Sequence, residues 1–428
     1  MQLSIGSAFT KFLATPNEEK LLKDTLRYKP EGYFWAPSYK QGFWDGYVKL
    51  CTKTKFLTGF VPRVQELCEQ FKYSCATKFE TFESAICDNI DGLYDYQAKF
   101  VEQMNIQQRC VISSPTGTGK SYLIAHFVAN SIRPALVLCY TNFVKEQLTK
   151  MIRERGLNVR NDFKAKADAY VTTVQYFSKN SPNLINEHKI AQIHVDECHH
   201  IPADLTKSVL SIANAFPRFG YSATPYRTGN DDLLIEGLIG PKTFGGKLQV
   251  ENITLEFVSV SSKKRYMNYE EARKDGIIWK SDRNEMIVKK VKELIRNSFS
   301  PILIFVRQIE HGNNLFQLLS EIDRVFIWSG TRKRITEKHD VYIVSPCGFE
   351  GLDFPEVRGI INASGGESSV EIIQKLGRSL RKKDAIHFVD FLDDGRYLRS
   401  HSLNRKKTIE NYVRLYSSPK TVVKLLYQ

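Results

Sequence analysis

The residues best equipped for chemistry are those of Cys110-Val-Ile-Ser-Ser-Pro-Thr-Gly-Thr-Gly-Lys-Ser121. A short apolar strand, a Gly-containing loop and the helical run Ser121-Tyr-Leu-Ile-Ala-His-Phe-Val-Ala follow one another, which is the layout of a phosphate-binding loop. Pro115, Thr116, Gly117, Thr118 and Gly119, with the positive end of the helix, would hold the β- and γ-phosphates of a nucleotide. Lys120 adds a mobile charge, and the Ser121 hydroxyl reaches Mg²⁺. Ser114 stands where the general pattern has its first Gly, and a small residue still permits the turn. Further on, the apolar run Ile190 to Val195 ends in Asp196-Glu197-Cys198-His199. A carboxylate at a strand tip, Asp196, can hold Mg²⁺, while Glu197 beside it can orient and deprotonate a water. Ser222 and Thr224, in Gly220-Tyr-Ser-Ala-Thr-Pro225, are placed to sense the γ-phosphate. Gln97, in Leu93-Tyr-Asp-Tyr-Gln97, carries a donor and an acceptor that could meet the edge of adenine.

These side chains need a parallel sheet to bring them together. Pro134 to Tyr140 reads as a buried strand ending in Thr141 and Asn142, and Tyr170 to Gln175 offers Thr173 at another strand end. Open α/β sheets bind ligands at the carboxyl ends of their strands. The 428 residues suffice for two or three domains, and the composition, 42% hydrophobic and 25% charged, is that of a globular protein. A net charge of +14 favours a polyanionic partner. The 8 cysteines form no CxxC pair, which predicts reduced thiols, no zinc site and a cytoplasmic location. Cys198-His199-His200 lacks a second ligand cluster. No run approaches a membrane span.

Residues 1–85 read as a small α/β domain. Thr15-Pro16-Asn17-Glu18 is a helix start, with Thr15 as N-cap and Glu18 completing a capping box. Gly32 to Leu50 reads as aromatic strands broken by Gly turns, and Val61 to Phe71 as a second helix. Tyr33, Trp35, Phe43 and Trp44 are expected either in the core of this domain or on a nucleic-acid platform.

The order of Gln97, the Gly119-Lys120-Ser121 loop, Asp-Glu-Cys-His and Ser-Ala-Thr resembles superfamily 2 helicases, which implies a second RecA-like domain. A polar segment, Ser261 to Asp275, is indeed followed by a helical run from Ser281 and by the apolar strand Pro301 to Val306, with Arg307 after it. By resemblance, Ser345 contacts a nucleic-acid backbone with Thr141, Asn142, Thr173 and Arg307. Gly351 and Asp353 then line the nucleotide cleft, and His199, Ser222 and Thr224 couple the two activities. Gln374, Arg378 and Arg381 match the arginine-finger motif. Two guanidiniums at i and i+3 share one helical face and can reach one phosphate. The resulting expectation is an α/β chain with a small N-terminal domain (1–85) and two tandem RecA-like parallel-sheet domains (86–250 and 251–428). The N-terminal Tyr/Phe/Trp stretch and Gly42-Phe-Trp-Asp-Gly46 resemble phage branch-migration helicases of the UvsW type. That resemblance implies ATP and Mg²⁺ as cofactors, branched or forked DNA as the partner, a monomer, and a host-cell cytoplasmic location. An RNA helicase with the same motor and a nucleotide-switched clamp that barely hydrolyses ATP are the competing expectations.

Overall fold

The structure, a computed structural model, describes all residues except 31, 180–183, 202–203, 224–231, 249, 263, 323, 329–337, 346–356 and 367–382. The chain divides into two units, one of Met1–Ser114 with Gly119–Gly246, the other of Lys247–Gln428 with Pro115–Thr118.

The N-terminal strands β1 (Gln2–Ile5), β2 (Phe9–Leu13), β3 (Lys55–Leu57) and β4 (Ala76–Phe79) form a mixed sheet of order β3-β2-β1-β4. Helix α1 (Pro16–Thr25) starts on the expected capping box, and α2 (Val61–Gln70) contributes Val64 and Cys68 to the same core as Leu3 and Phe12. The aromatic run is not strand. Gly42 and Gly46 take left-handed backbone (φ 77° and 81°), and Pro37 opens a short helix, so Tyr33–Trp35 and Pro37–Lys40 coil instead. None of Tyr33, Trp35, Phe43 and Trp44 lies in the core.

The first RecA-like sheet contains β5 (Arg109–Ser113), β6 (Ala135–Cys139), β7 (Val159–Arg160), β8 (Ala169–Thr173), β9 (Gln192–Asp196), β10 (Arg218–Ser222) and β11 (Lys242–Phe244). All pair in parallel, in the order β11-β5-β10-β9-β6-β8-β7. Such strands are covered on both faces and read as continuous apolar runs. The covering helices are α3 (Asp95–Gln107), α4 (Lys120–Ala129), α5 (Asn142–Arg153), α6 (Asp204–Ile212) and α7 (Asp232–Leu238).

The N-terminal sheet shares one continuous core with this domain, in which Leu3, Phe12, Phe56 and Phe60 join Val111, Leu136, Val195 and Ile235. The turn Thr58–Phe60 lies so close to α7 that a Cβ on Gly59 would stand 2.0 Å from the Glu236 carbonyl oxygen. Arg63 makes a two-pronged ion pair with Glu236 (2.7 and 2.6 Å), and Ser7 Oγ donates to Asn214 Oδ1 at 2.8 Å. Two buried arginines use main-chain acceptors here, Arg109 crossing the joint to Ser7 and Arg218 bonding within the first RecA-like domain. Arg109 donates to the carbonyls of Ile239, Ser7, Phe216 and Leu238 (2.7–3.1 Å), and Arg218 to those of Ala215, Leu210, Leu238 and Ala213 (2.7–3.2 Å). Burial, and for Arg109 the charge of Arg218, lowers both guanidinium pKa values, that of Arg218 to about 9. Guanidinium is the side chain able to fill that many acceptors at once.

The second unit holds β12 (Val250–Val260), β13 (Ile302–Phe305), β14 (Val325–Trp328), β15 (Val341–Val344), β16 (Gly359–Asn362), β17 (Lys383–Asp393) and β18 (Val422–Tyr427). They form a second parallel sheet, β14-β15-β13-β16-β17-β12-β18, flanked by α8 (Ser281–Arg296), α9 (Ile309–Leu318) and α10 (Leu398–Tyr416). The C-terminal tail thus becomes the edge strand beside β12. A buried charge network crosses the end of this sheet. Arg405 donates to Asp390 (3.1 Å), to the Gly366 carbonyl (2.7 Å) and to the Phe391 carbonyl (2.6 Å), while Arg283 holds Asp393 (2.6 Å) and the Ala363 carbonyl (3.1 Å). Asn362 Nδ2 donates to Asp390 Oδ1 at 2.7 Å.

Candidate functional site

Parallel registration places the site. Ser222 is the pairing partner of Ser113, and Tyr221 that of Asp196. The strand leading into the phosphate loop, the strand ending in the acidic pair and the strand ending in Ser222 therefore finish at one edge of the first sheet. Gly220 lets the turn Cys198–His200 lie against β10, since a Cβ there would be 3.0 Å from Cys198 Sγ.

The loop is built for close approach. Gly117 and Gly119 take φ of 83° and 75°, conformations that a Cβ disfavours. Ser114 needs no such conformation. It is buried, and its N–H donates to the Ser222 carbonyl at 3.2 Å, so Ser replaces the usual Gly at little cost. Thr118 Oγ1 donates to the Pro115 carbonyl (2.6 Å) and Lys120 Nζ to the Ser114 carbonyl (3.0 Å). Gly119 is the N-cap of α4, and Ser121 is the helix's second residue. Gln97 is buried, its Oε1 accepting from Tyr94 N–H at 3.1 Å and its Nε2 lying 2.8 Å from where a Gly119 Cβ would project. That contact sets Gln97 against the loop, with its acceptor used to begin α3.

Asp196 is buried at the tip of β9, and burial together with the neighbouring Glu197 charge pushes its carboxyl up to about 7, against the pull of Lys120. Glu197 has φ 46°, a left-handed conformation costly for a residue with a Cβ. The strain turns its carboxylate back towards His199, whose Nδ1 lies 3.3 Å from Glu197 Oε2 and 2.9 Å from Ser222 Oγ. Burial opposes ionisation of Glu197, but the nearby His199 and the charges of Lys120 and His200 outweigh it and hold the carboxyl down at about 2. An acidic pair split in this way is common at functional sites. The chemistry of the donor set, a cationic amine, a left-handed glycine loop and two adjacent carboxylates, fits a nucleotide triphosphate with a divalent ion.

Thr141 and Thr173 lie at the carboxyl ends of the adjacent strands β6 and β8. Thr141 Oγ1 caps α5 by accepting from Val144 N–H (3.3 Å), and Thr173 Oγ1 accepts from Tyr176 N–H (3.2 Å). Asn142 Oδ1 accepts from Lys145 Nζ at 2.9 Å. In the second unit, Arg307 and buried Ser345 follow the neighbouring strands β13 and β15. A Cβ on Gly366 would stand 3.0 Å from an Arg307 Nη1. Thr224, Gly351, Asp353, Gln374, Arg378 and Arg381 lie outside the described residues. The buried arginines and the Asp390–Arg405 network were not foreseen from sequence, where arginine reads as surface charge.

Residues 89–227 match the family described as "Type III restriction enzyme, res subunit". A protein of Sulfolobus islandicus filamentous virus named as a helicase is 24% identical over 376 residues, covering 73% of this chain and 65% of that protein. The ATP-dependent DNA helicase uvsW of Enterobacteria phage T4 is 25% identical over 450 residues, covering 90% of this chain and 89% of that protein. A crystal structure of T4 UvsW covers both chains in full at a TM-score of 0.50 and 19% identity, a likeness of fold.

Proposed function

We infer that the chain is a superfamily 2 helicase resembling UvsW, working as an ATP-hydrolysing DNA helicase and translocase, and we propose branched DNA as its substrate. The observation that carries the reading is the convergence of the strand entering the phosphate loop, the Asp196–Glu197 pair and the hydrogen-bonded His199 and Ser222 on one sheet edge. Mg²⁺, when bound, neutralises phosphate charge. In the proposed mechanism Lys120 and the loop N–H groups bind phosphate oxygens, while Ser121 and Asp196 supply oxygen donors for the ion. Glu197 orients the attacking water. His199 and Lys120 keep this carboxylate ionised, so it accepts from the water's O–H and both orients the water and draws on its proton. Arg378 and Arg381 are proposed to stabilise transition-state charge, and Gly351 and Asp353 to contact nucleotide. Ser222 and His199, with Thr224, are proposed to report the phosphate state to the strand ends where Thr141, Asn142, Thr173, Arg307 and Ser345 meet a DNA backbone.

The N-terminal sheet supplies a second contact. Lys55 pairs with Lys11, Lys11 with Ser4, and Ser4 with Lys78, so one exposed row across all four strands carries three ammonium groups. Among the described residues none of the three has an acidic partner. Like charges directly opposite each other destabilise a sheet, and an anionic backbone relieves that repulsion.

The deciding experiment measures ATP hydrolysis with single-stranded DNA, duplex DNA, a four-way junction and matched RNA, with branch movement followed in parallel. Stimulation by the junction with ATP-dependent branch movement is expected, whereas stimulation by RNA alone would overturn the DNA assignment. In the same assay, Lys11→Glu with Lys78→Glu is expected to weaken junction binding and to flatten the log–log salt dependence by about one unit per lost phosphate contact. An unchanged slope would remove the sheet from the DNA path.

A further inference from the structure

The aromatic excursion between Gly32 and Tyr47 is bonded internally and leaves large side chains exposed among the described residues. Its base is closed by the two-residue ladder of Arg27–Tyr28 with Val48–Lys49. Inside, Tyr33 and Tyr39 pack edge to face (5.0 Å, 82°), and Trp44 Nε1 donates to the Tyr47 carbonyl at 2.9 Å. The N–H groups of Phe43 and Trp44 both reach the Ser38 carbonyl (2.9 and 3.1 Å). Gly46 is left-handed and lies under Tyr33, where a Cβ would come within 2.7 Å of the ring. On this frame Phe43 is 84% exposed, Trp35 69% and Phe34 49%. A braced loop that leaves three large rings in water is not explained by folding, because each ring forgoes the burial that usually justifies its presence.

Charge identifies what the rings meet. Lys40 Nζ lies 4.9 Å from the Trp35 ring centroid, Lys29 Nζ 4.6 Å from that of Tyr33, and Arg27 4.2 Å from that of Tyr47. Among the described residues, Asp45 is paired with Lys49 (2.9 Å) and Asp24 with Arg27 (2.6 Å). An apolar protein partner would desolvate these amines without compensation. Nucleobases stack on the rings while their phosphates meet the cations, the pairing used by proteins that hold single strands.

We propose that this excursion is the strand-separating element, with Phe43 and Trp35 stacking on bases unpaired at the DNA branch point. The proposal rests on the translocase reading above and adds the contact that turns movement along DNA into displacement of a strand. The internally bonded backbone matters, because a platform that is already folded loses little further freedom when bases stack on it.

The test compares the wild-type chain with Phe43→Ala, Trp35→Ala and the double variant on a junction carrying 2-aminopurine at the branch point, with a control probe in a duplex arm. For the wild type we expect a fluorescence change confined to the branch-point probe. Each single variant should reduce that change and cut the junctions resolved per ATP hydrolysed by about tenfold. Since these side chains are exposed, thermal unfolding should not move. Normal coupling with an unchanged probe signal in the double variant would overturn this proposal while leaving the motor intact. If the wild type hydrolyses no ATP with any DNA, the motor reading itself fails. A wild-type dimer that the double variant makes monomeric would reassign the rings to self-association and also overturn the proposal.

Discussion

Glu197→Gln is expected to bind ATP and DNA yet to hydrolyse ATP about a thousandfold more slowly, within the range assigned to a single positioned acid–base group. The substitution keeps shape and hydrogen-bonding reach but removes the charge that draws a water proton. Because Glu197 is fixed in a left-handed conformation beside His199, the amide should occupy the carboxylate's place, and loss of turnover can be read as chemistry. Lys120→Ala should fail differently. Removing the amine that now rests on the Ser114 carbonyl takes away phosphate binding as well as turnover, so nucleotide affinity falls together with rate. Binding of a non-hydrolysable ATP analogue separates the two variants. Near-normal turnover in both would refute the assignment of Lys120 and Glu197.

Arg405→Met should destabilise the second unit by about 3–5 kcal/mol, the cost of leaving half of a buried ion pair behind. Asp390 would retain Asn362 but lose its cation, and the carbonyls of Gly366 and Phe391 would lose their donor. The effect depends on pH in a definite direction. Burial, though countered by Arg405, already raises the Asp390 pKa, and without Arg405 it rises further. A carboxyl whose folded pKa exceeds its unfolded value penalises folding only above the unfolded pKa, and the penalty grows as pH climbs to the folded one. The deficit measured by urea unfolding should therefore shrink as pH is lowered towards the ordinary carboxylate range. Arg405→Met with Asp390→Asn should recover part of it. A deficit that is independent of pH would show that lost packing, not the stranded charge, dominates. Gly366 immediately precedes the segment carrying Gln374, Arg378 and Arg381, so the single variant should also slow ATP hydrolysis at temperatures where it remains folded.

What could be read from the sequence was local. The capping box of Thr15 and Glu18, the glycines at 117 and 119 and the acidic pair at 196–197 each declare themselves within a few residues, because backbone geometry and near-neighbour hydrogen bonds dictate them. The parallel sheets followed from apolar runs too continuous for half-exposed strands. Burial was not readable in the same way. Tyr33, Trp35, Phe43 and Trp44 have strand propensity, yet the turns at Gly42 and Gly46 carry them away from the sheet. Arg109, Arg218, Arg283 and Arg405 count towards the +14 charge but are buried among carbonyls and carboxylates, so the charge available to DNA is smaller than composition implies. Pairing of the tail with β12 depends on an edge formed some 170 residues earlier, beyond the reach of any local pattern.

The joint between the N-terminal sheet and the first RecA-like domain also bears on how the chain is made. Ser7 waits for Asn214 and Arg63 for Glu236, partners 207 and 173 residues downstream. On a ribosome the first sheet therefore emerges long before the surface that completes its core, and such distant contacts form slowly. Until α7 is synthesised, the apolar face of β1 to β3 remains exposed and open to chaperones. Truncations ending before residue 240 should accumulate as aggregates rather than as a free N-terminal domain.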